Sequence, residues 1–455
     1  MAKAKSVYVC AECGGSSPRW MGRCPSCNAW NSLTEQRLRP VGTGGKKARV
    51  PVAGGAVAVA DVVMDDVARF KSGIEELDRV LGGGIVPGGV VLLGGDPGIG
   101  KSTLLMQALA GLASSGRKTL YVTAEESASQ VALRATRIVK NALADMKVLA
   151  TTSLEEAEAV LEAEGPEVVV IDSVQTLRAE DLESAAGTVS QLREVTARLT
   201  ERAKRQPMAM FLVGHVTKDG SLAGPKVLEH LVDTVLNFEG DASAAVRLLR
   251  VSKNRFGDAS EVGVFEMVEE GLREVPDPSA LFLAERARAS SGSVVVATAD
   301  GARPLLVEVQ ALVAPAAYGA ARRVASGLDA NRVAILLAVL DRKAGIHVLD
   351  RDVFVSVAGG VRVTERATDL AITLAIVSSL RERPVPEDLV VFGEVGLAGE
   401  VRGVPRVIPR LREASKLGYA RAIVPERNAK SLKPEDRHGL ECISVSTVEA
   451  ALEVL

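Results

Sequence analysis

Residues 90–93 (V-V-L-L) form an unbroken apolar, β-favouring run. Leu104, Leu105, Ala108 and Leu109 then recur at helical spacing. This predicts a buried strand and a helix joined by a glycine-rich segment. Further apolar runs predict strands at 118–123 (K-T-L-Y-V-T), 167–173 (E-V-V-V-I-D-S), 208–214 (M-A-M-F-L-V-G) and 246–252. Upstream, Phe70, Ile74, Leu77, Val80 and Leu81 line one helical face, which Gly82, Gly83 and Gly84 end, and residues 85–89 turn into the first strand. Alternating strands and helices of this kind predict an α/β fold with a mainly parallel sheet.

Pro276 and Pro278 mark a boundary. Beyond it the pattern predicts a helix at 280–289, strands at 293–297 and 305–312, and a helix at 331–340. A strand at 353–358, a helix at 370–380 and short strands at 390–395, 422–424 and 442–445 complete a mixed α/β domain. Residues 36–62 are rich in Gly, Pro, Ala and basic residues without a sustained period, which reads as a flexible linker. The organisation expected is a small cysteine-bearing module at 1–35, the linker at 36–62, an α/β domain at 63–275 and a third domain at 279–455. A length of 455 residues suits about three domains.

Composition changes the picture in two places. Net charge is −2, so the whole molecule is no polybasic nucleic-acid binder, yet residues 1–50 carry nine Lys/Arg against Glu12 and Glu35, a net +7. No apolar run is long enough to span a bilayer, residues 57–67 are interrupted by Asp61, Asp65 and Asp66, and no signal peptide is visible. A cytoplasmic chain without a membrane partner is expected.

The candidate chemistry starts with Cys10, Cys13, Cys24 and Cys27. Two C-x-x-C knuckles ten residues apart suit tetrahedral Zn²⁺ in a closed, structural site. A redox dithiol needs only two cysteines, and iron is the rival metal. Trp20 and Trp30 are expected to pack against the ribbon rather than stack on bases. Gly95, Asp96, Pro97, Gly98, Ile99, Gly100, Lys101, Ser102 and Thr103 fit G-x-x-x-x-G-K-[ST] between a strand and a helix. Backbone N–H groups and the helix N-terminus favour phosphate there. Lys101 would reach the terminal phosphates of ATP, and Ser102 would hold Mg²⁺.

Glu125 and Glu126 end the strand at 118–123, where ligands bind in such sheets. Glu125 is the expected base for the attacking water and Glu126 the alternate, unless Glu126 caps the next helix. Asp172 ends its own strand and fits the carboxylate that holds Mg²⁺. His215, at another strand end, is a candidate γ-phosphate sensor. Lys218 and Lys226 flank a polar loop that can track a phosphate backbone or be a plain turn. Lys253, Asn254, Arg255, Phe256 and Gly257 suit fingers on a neighbour's γ-phosphate, a DNA contact, or a charged hairpin end. With aromatics at 3%, Phe256 is the expected stacking residue, and DNA would be read mainly through backbone charge.

The order of these motifs resembles the bacterial RadA (Sms) family of DNA-repair ATPases over nearly the whole chain. The ribbon cysteines, G-D-P-G-I-G-K-S-T at 95–103 and K-N-R-F-G at 253–257 carry the likeness. The resemblance implies a RecA-like core, a homohexameric ring, and a DNA-stimulated ATPase that branch-migrates recombination intermediates on single-stranded or branched DNA beside RecA. It gives Lys101 and Ser102 to nucleotide, Asp172 to the metal, Glu125 to catalysis, and Lys253 and Arg255 to the signature motif. Residues 364–383 and 393–409 look like the proteolytic domain of Lon, but its serine position falls on Ala367 and its lysine position on Ile408. No Ser lies in 361–377 and no Lys in 391–415, so an ATP-dependent protease fails on chemistry. The remaining alternative is a RecA-like scaffold ATPase that binds protein partners through the ribbon.

Overall fold

The computed structural model describes residues 6–10, 16–25, 30, 33–37, 69–139, 145–214, 227–240, 246–286, 290–299, 303–316 and 321–455. Cys13, Cys27, His215, Lys218, Lys226 and nearly all of the linker lie outside the described residues. The chain divides into two compact units. One comprises Met1–Glu239, Leu249–Ala259 and Met267–Arg273, and the other Gly240–Leu248, Ser260–Glu266 and Glu274–Leu455.

In the first unit, β1 (Ser6–Cys10) pairs antiparallel with β2 (Ser16–Ser17) and β3 (Leu33–Arg37). Cys10 and Cys24 are buried in one small cluster with Leu33, which brings together one cysteine of each knuckle. Trp20 and Trp30 depart from expectation. They are 55% and 73% exposed, and among the described residues the apolar cluster of the ribbon is Cys10, Cys24 and Leu33 with Tyr8 and Met21 against it, which leaves no interior to take an indole.

The larger sheet is built on β4 (Val90–Gly95), β5 (Thr119–Thr123), β6 (Met146–Ala150), β7 (Val168–Asp172), β8 (Ala209–Val213) and β9 (Thr234–Glu239). Continuing are β10 (Val246–Asn254), β11 (Val262–Val268) and β12 (Gly271–Glu274). Among the described residues the order is β12-β11-β10-β9-β4-β8-β7-β5-β6, and the pairs from β9 to β6 are parallel. The central strands β4, β7 and β8 are buried at every position, as continuous apolar runs in a doubly covered parallel sheet require.

Helices α2 (Lys101–Ser114), α3 (Ala128–Ile138), α4 (Leu154–Glu164) and α5 (Val189–Arg205) connect the strands. The helix expected from Phe70 is only α1 (Glu75–Val80). Phe70 instead exchanges backbone hydrogen bonds with Ile85, and Gly73 at φ +81° delays the helix.

In the second unit the sheet order is β15-β16-β14-β13-β17-β20-β21. The strands are β13 (Ser293–Thr298), β14 (Leu305–Pro315), β15 (Arg323–Ser326), β16 (Arg351–Val357), β17 (Leu389–Val391), β20 (Arg421–Pro425) and β21 (Glu441–Val445), and β18 (Glu394–Val395) pairs separately with β19 (Val401–Arg402). The single strand expected at 390–395 is thus two strands in different sheets. The helix expected at 280–289 runs Pro278–Leu283, because Pro278 sits in its first turn and the Asp277 side chain caps Ala280.

A helix at Asp369–Arg381, buried from Asp369 through Ser378, is the spine of this core. Ala367 is buried just before it, and Ile408 is partly exposed on the helix Val407–Lys416. Nearby, Arg410 is fully buried. It donates to the Ala297 carbonyl and pairs with Glu365, whose carboxylate also accepts from the Ala299 N–H. Removing one member of such a pair strands the other charge in the core. Glu365→Leu is therefore expected to cost about 3–5 kcal/mol, read by chemical denaturation of the full chain. A variant as stable as the parent would show the pair to be energetically idle.

Candidate nucleotide site

The turn from β4 into α2 exists because of its glycines. Gly95 has φ +151°, and a Cβ there would stand 2.6 Å from the Phe238 carbonyl oxygen of β9. Gly100 at φ +113° is the residue before α2, and a Cβ would stand 2.9 Å from the Met267 methyl. Only glycine holds these positions without pushing the loop off the sheet. Ile99 is 1% exposed and anchors the loop from below, while Asp96, Pro97 and Gly98 face outward and Thr103 is half-buried.

Lys101 is buried and folds back on its own loop, donating to the Gly95 carbonyl at 2.7 Å and the Asp96 carbonyl at 2.9 Å. Burial lowers its proton affinity below the usual lysine range, and the carboxylates of Asp172, Asp96 and Glu125 partly oppose this. Ser102, in the first turn of α2, donates to Asp172 Oδ2 at 2.6 Å. The loop, Ser102 and the end of β7 are therefore one site.

Asp172 has a second donor that the sequence did not single out. The fully buried Tyr121 of β5 donates its phenol to the same Oδ2. Burial, then the Asp172 charge, pushes the phenol far above its usual range, so it stays a donor. Arg134 of α3 donates to the Tyr121 oxygen at 3.0 Å and pairs with Glu126 at 2.9 Å. A tyrosine inside an apolar strand reads as core, and only its packing beside Asp172 reveals the hydroxyl's work.

The two candidate bases are separated. The Glu125 carboxylate accepts from Ser173 Oγ, next to Asp172, whereas Glu126 is turned toward Arg134. Glu126 is not the helix cap. Ser127 caps α3, completing a capping box with Gln130.

The K-N-R-F-G segment lies elsewhere in the same unit. Lys253 Nζ donates to the carbonyls of Glu229 and Val232 at 2.6 and 2.7 Å, and Arg255 pairs with Asp233 at 3.0 Å. Asp233 also accepts from the Val90 N–H, at the start of β4. Burial, then the neighbouring Arg255 charge, lowers the proton affinity of Lys253. Phe256 is 38% exposed. Its carbonyl accepts from Arg69, and its ring lies against Gly89. The phosphate loop follows Gly95, at the other end of β4, so a strand length of about 17–20 Å separates Arg255 from the loop.

A parallel nucleotide-binding sheet with this loop at a strand end defines a P-loop ATPase of the RecA-like class. A model described as an AAA domain matches residues 58–221, one described as a rubredoxin metal binding domain matches 8–35, and one described as subunit ChlI of Mg-chelatase matches 321–428. The DNA repair protein RadA of Pseudomonas aeruginosa is 53% identical over the whole of both chains. That of Escherichia coli is 51% identical over 100% of this chain and 99% of its own, and that of Bacillus subtilis 46% over 99% of each. A solved KaiC-like protein from Pyrococcus horikoshii covers 46% of this chain and all of its own at 24% identity, with a TM-score of 0.40. The chain belongs to the RadA family of DNA repair proteins.

Gly95→Ala places a methyl against the Phe238 carbonyl and must shift the loop. Its affinity for a fluorescent ATP analogue is expected to fall about tenfold or more, equivalent to at least about 1.4 kcal/mol, with the fold retained by circular dichroism. Unchanged affinity would show that the loop does not depend on this backbone.

Proposed function

We propose that this ATPase is a motor on single-stranded or branched DNA in homologous recombination and repair, acting as a homohexameric ring beside RecA. The observation that carries the reading is Ser102 and Asp172 held 2.6 Å apart at the mouth of the phosphate loop, in a chain whose full-length relatives bear the name DNA repair protein RadA. The domain limits that go with it are 1–35, 36–62, 63–275 and 279–455.

In this reading the phosphates take the place of the Gly95 and Asp96 carbonyls on Lys101. The Ser102 hydroxyl and the Asp172 carboxylate are hard oxygen donors that fit Mg²⁺, which when bound neutralises developing charge on the phosphates. Glu125 orients and deprotonates the attacking water, and Glu126, held by Arg134, is the alternate. Tyr121 positions Asp172 from behind. Cys10 and Cys24, buried in one cluster, are two soft thiol donors that fit Zn²⁺, with Cys13 and Cys27 completing the set. Lys253 and Arg255, a strand length from their own loop, serve a neighbour's nucleotide or DNA. Phe256, Lys218 and Lys226 contact DNA, and His215 senses the γ-phosphate. Ala367 and Ile408 offer neither nucleophile nor base, so the second unit acts as a scaffold.

Steady-state ATP hydrolysis at low salt, with and without a forked DNA bearing a single strand, tests this. Stimulation by DNA is expected in the parent, with hydrolysis lost in Lys101→Ala and stimulation lost in Lys253→Ala. A parent that neither binds nor responds to DNA overturns the motor. Tyr121→Phe keeps the ring and removes only the hydroxyl. It is expected to raise the Mg²⁺ concentration for half-maximal nucleotide binding about ten- to a hundredfold, the usual cost of losing such a supporting partner. An unchanged Mg²⁺ requirement would show that the phenol only fills space.

A further inference from the structure

The ribbon carries a surface that its structural role does not use. Trp20 and Trp30 are the two tryptophans of the chain, and both stand in solvent, 55% and 73% exposed. Indoles are among the largest apolar groups a fold can bury, and leaving two of them outside forfeits that gain. They are also close together. A Cβ at Gly22 would lie 3.8 Å from the Trp20 ring and 3.8 Å from the Trp30 ring, so the rings flank a residue with no side chain. Arg23 bridges to Trp30 through the backbone and holds its guanidinium 5.7 Å from the centre of that ring. Arg19 and Arg23 are both exposed on the same short segment.

We infer that this face, Trp20–Gly22–Trp30 with Arg19 and Arg23, is a stacking platform for the bases of single-stranded DNA. The inference rests on the reading that the chain works on DNA, and it names where a strand is held. Three features favour a strand over a protein partner. Both rings offer a π-face, which every base can stack on whatever its sequence. The rings are interleaved with guanidiniums, which can pair with the phosphates while the bases stack beside them. The first 50 residues carry a net +7, which complements a phosphate backbone. Stacking on Phe256 alone, at 38% exposure, leaves this larger aromatic surface unassigned.

Because both tryptophans of the chain lie here, tryptophan emission, excited selectively over tyrosine, reports on the platform. The full, zinc-loaded chain is titrated with a short oligo(dT) strand at low salt and without nucleotide, and binding is followed in parallel by anisotropy of the labelled strand. Emission is expected to be quenched along the same curve. Trp20→Ala and Trp30→Ala are each expected to weaken binding about five- to a hundredfold, the range for loss of one stacked base. Trp→Phe at either position restores most of the affinity, and Trp→Leu does not.

Zinc content confirms that each variant keeps its ribbon. If an alanine variant loses zinc, the Phe and Leu variants carry the comparison. A strand that binds the parent without changing its emission overturns the platform and leaves the DNA reading standing, as does Trp→Leu binding as tightly as the parent. Failure of the parent to bind any strand removes both. Emission that responds to RecA but not to oligo(dT) makes the face a protein dock and overturns the proposal.

Discussion

One carboxylate oxygen gathers the nucleotide site. Asp172 Oδ2 accepts from Ser102, in the first turn of α2, and from Tyr121, on the neighbouring strand. Asp172 is only 8% exposed, and a carboxylate so placed needs donors to offset the water it has lost. Satisfying it fixes the angle between α2 and β7, and with it the mouth of the loop. Lys101 is handled the same way, its ammonium held by two carbonyls of its own loop. The loop is thus closed on itself by its own lysine.

A second buried carboxylate does for the other end of the sheet what Asp172 does for the first. Asp233 is 3% exposed, accepts from the Val90 N–H, and pairs with Arg255, with Lys204 near at 3.5 Å. It ties the start of β4 to the turn after β10. The Gly82–Gly84 run that ends the segment after α1 completes this edge. Gly257 approaches Gly82 so closely that a Cβ on either would crowd the other's backbone. The glycines read as a helix stop in the sequence are also the seat on which the Phe256–Gly257 turn rests.

What the sequence disclosed follows from how local each signal is. The phosphate loop is encoded in nine consecutive residues, and its strand and helix are single apolar patterns, so both appear where the pattern puts them. Asp172 was legible because it ends an apolar run. Tyr121 and Arg134 were not, because their role depends on a contact between residues 51 positions apart and on which way a strand faces. The fate of the Glu125–Glu126 pair turned on Ser127, which takes the cap and leaves Glu126 to Arg134. The exposure of Trp20 and Trp30 ran against hydrophobicity itself, since composition says that an indole seeks a core but not whether one exists. Arg410 is the converse case: a charged residue on an amphipathic helix, buried because Glu365 and the Ala297 carbonyl satisfy it.

The distance between the two carboxylate hubs constrains any account of the signature motif. Lys253 and Arg255 are held at the strand starts, and the phosphate loop is at a strand end, with all of β4 between them. An arginine side chain spans far less than a strand of six residues at about 3.3 Å each. Within one chain, therefore, Arg255 cannot reach its own phosphate loop. A finger role demands a second copy whose loop faces this edge, whereas a DNA role demands only that the edge be open. In either case the partner must compete with bonds already made, to Asp233 for Arg255 and to two carbonyls for Lys253. A phosphate can win the lysine from neutral carbonyls more readily than it can win the arginine from a buried carboxylate, because taking Arg255 away strips Asp233 of its shorter ion pair and leaves it Lys204 at 3.5 Å. The geometry thus makes Lys253 the more exchangeable cation of the two, and Arg255 the one that holds the edge together.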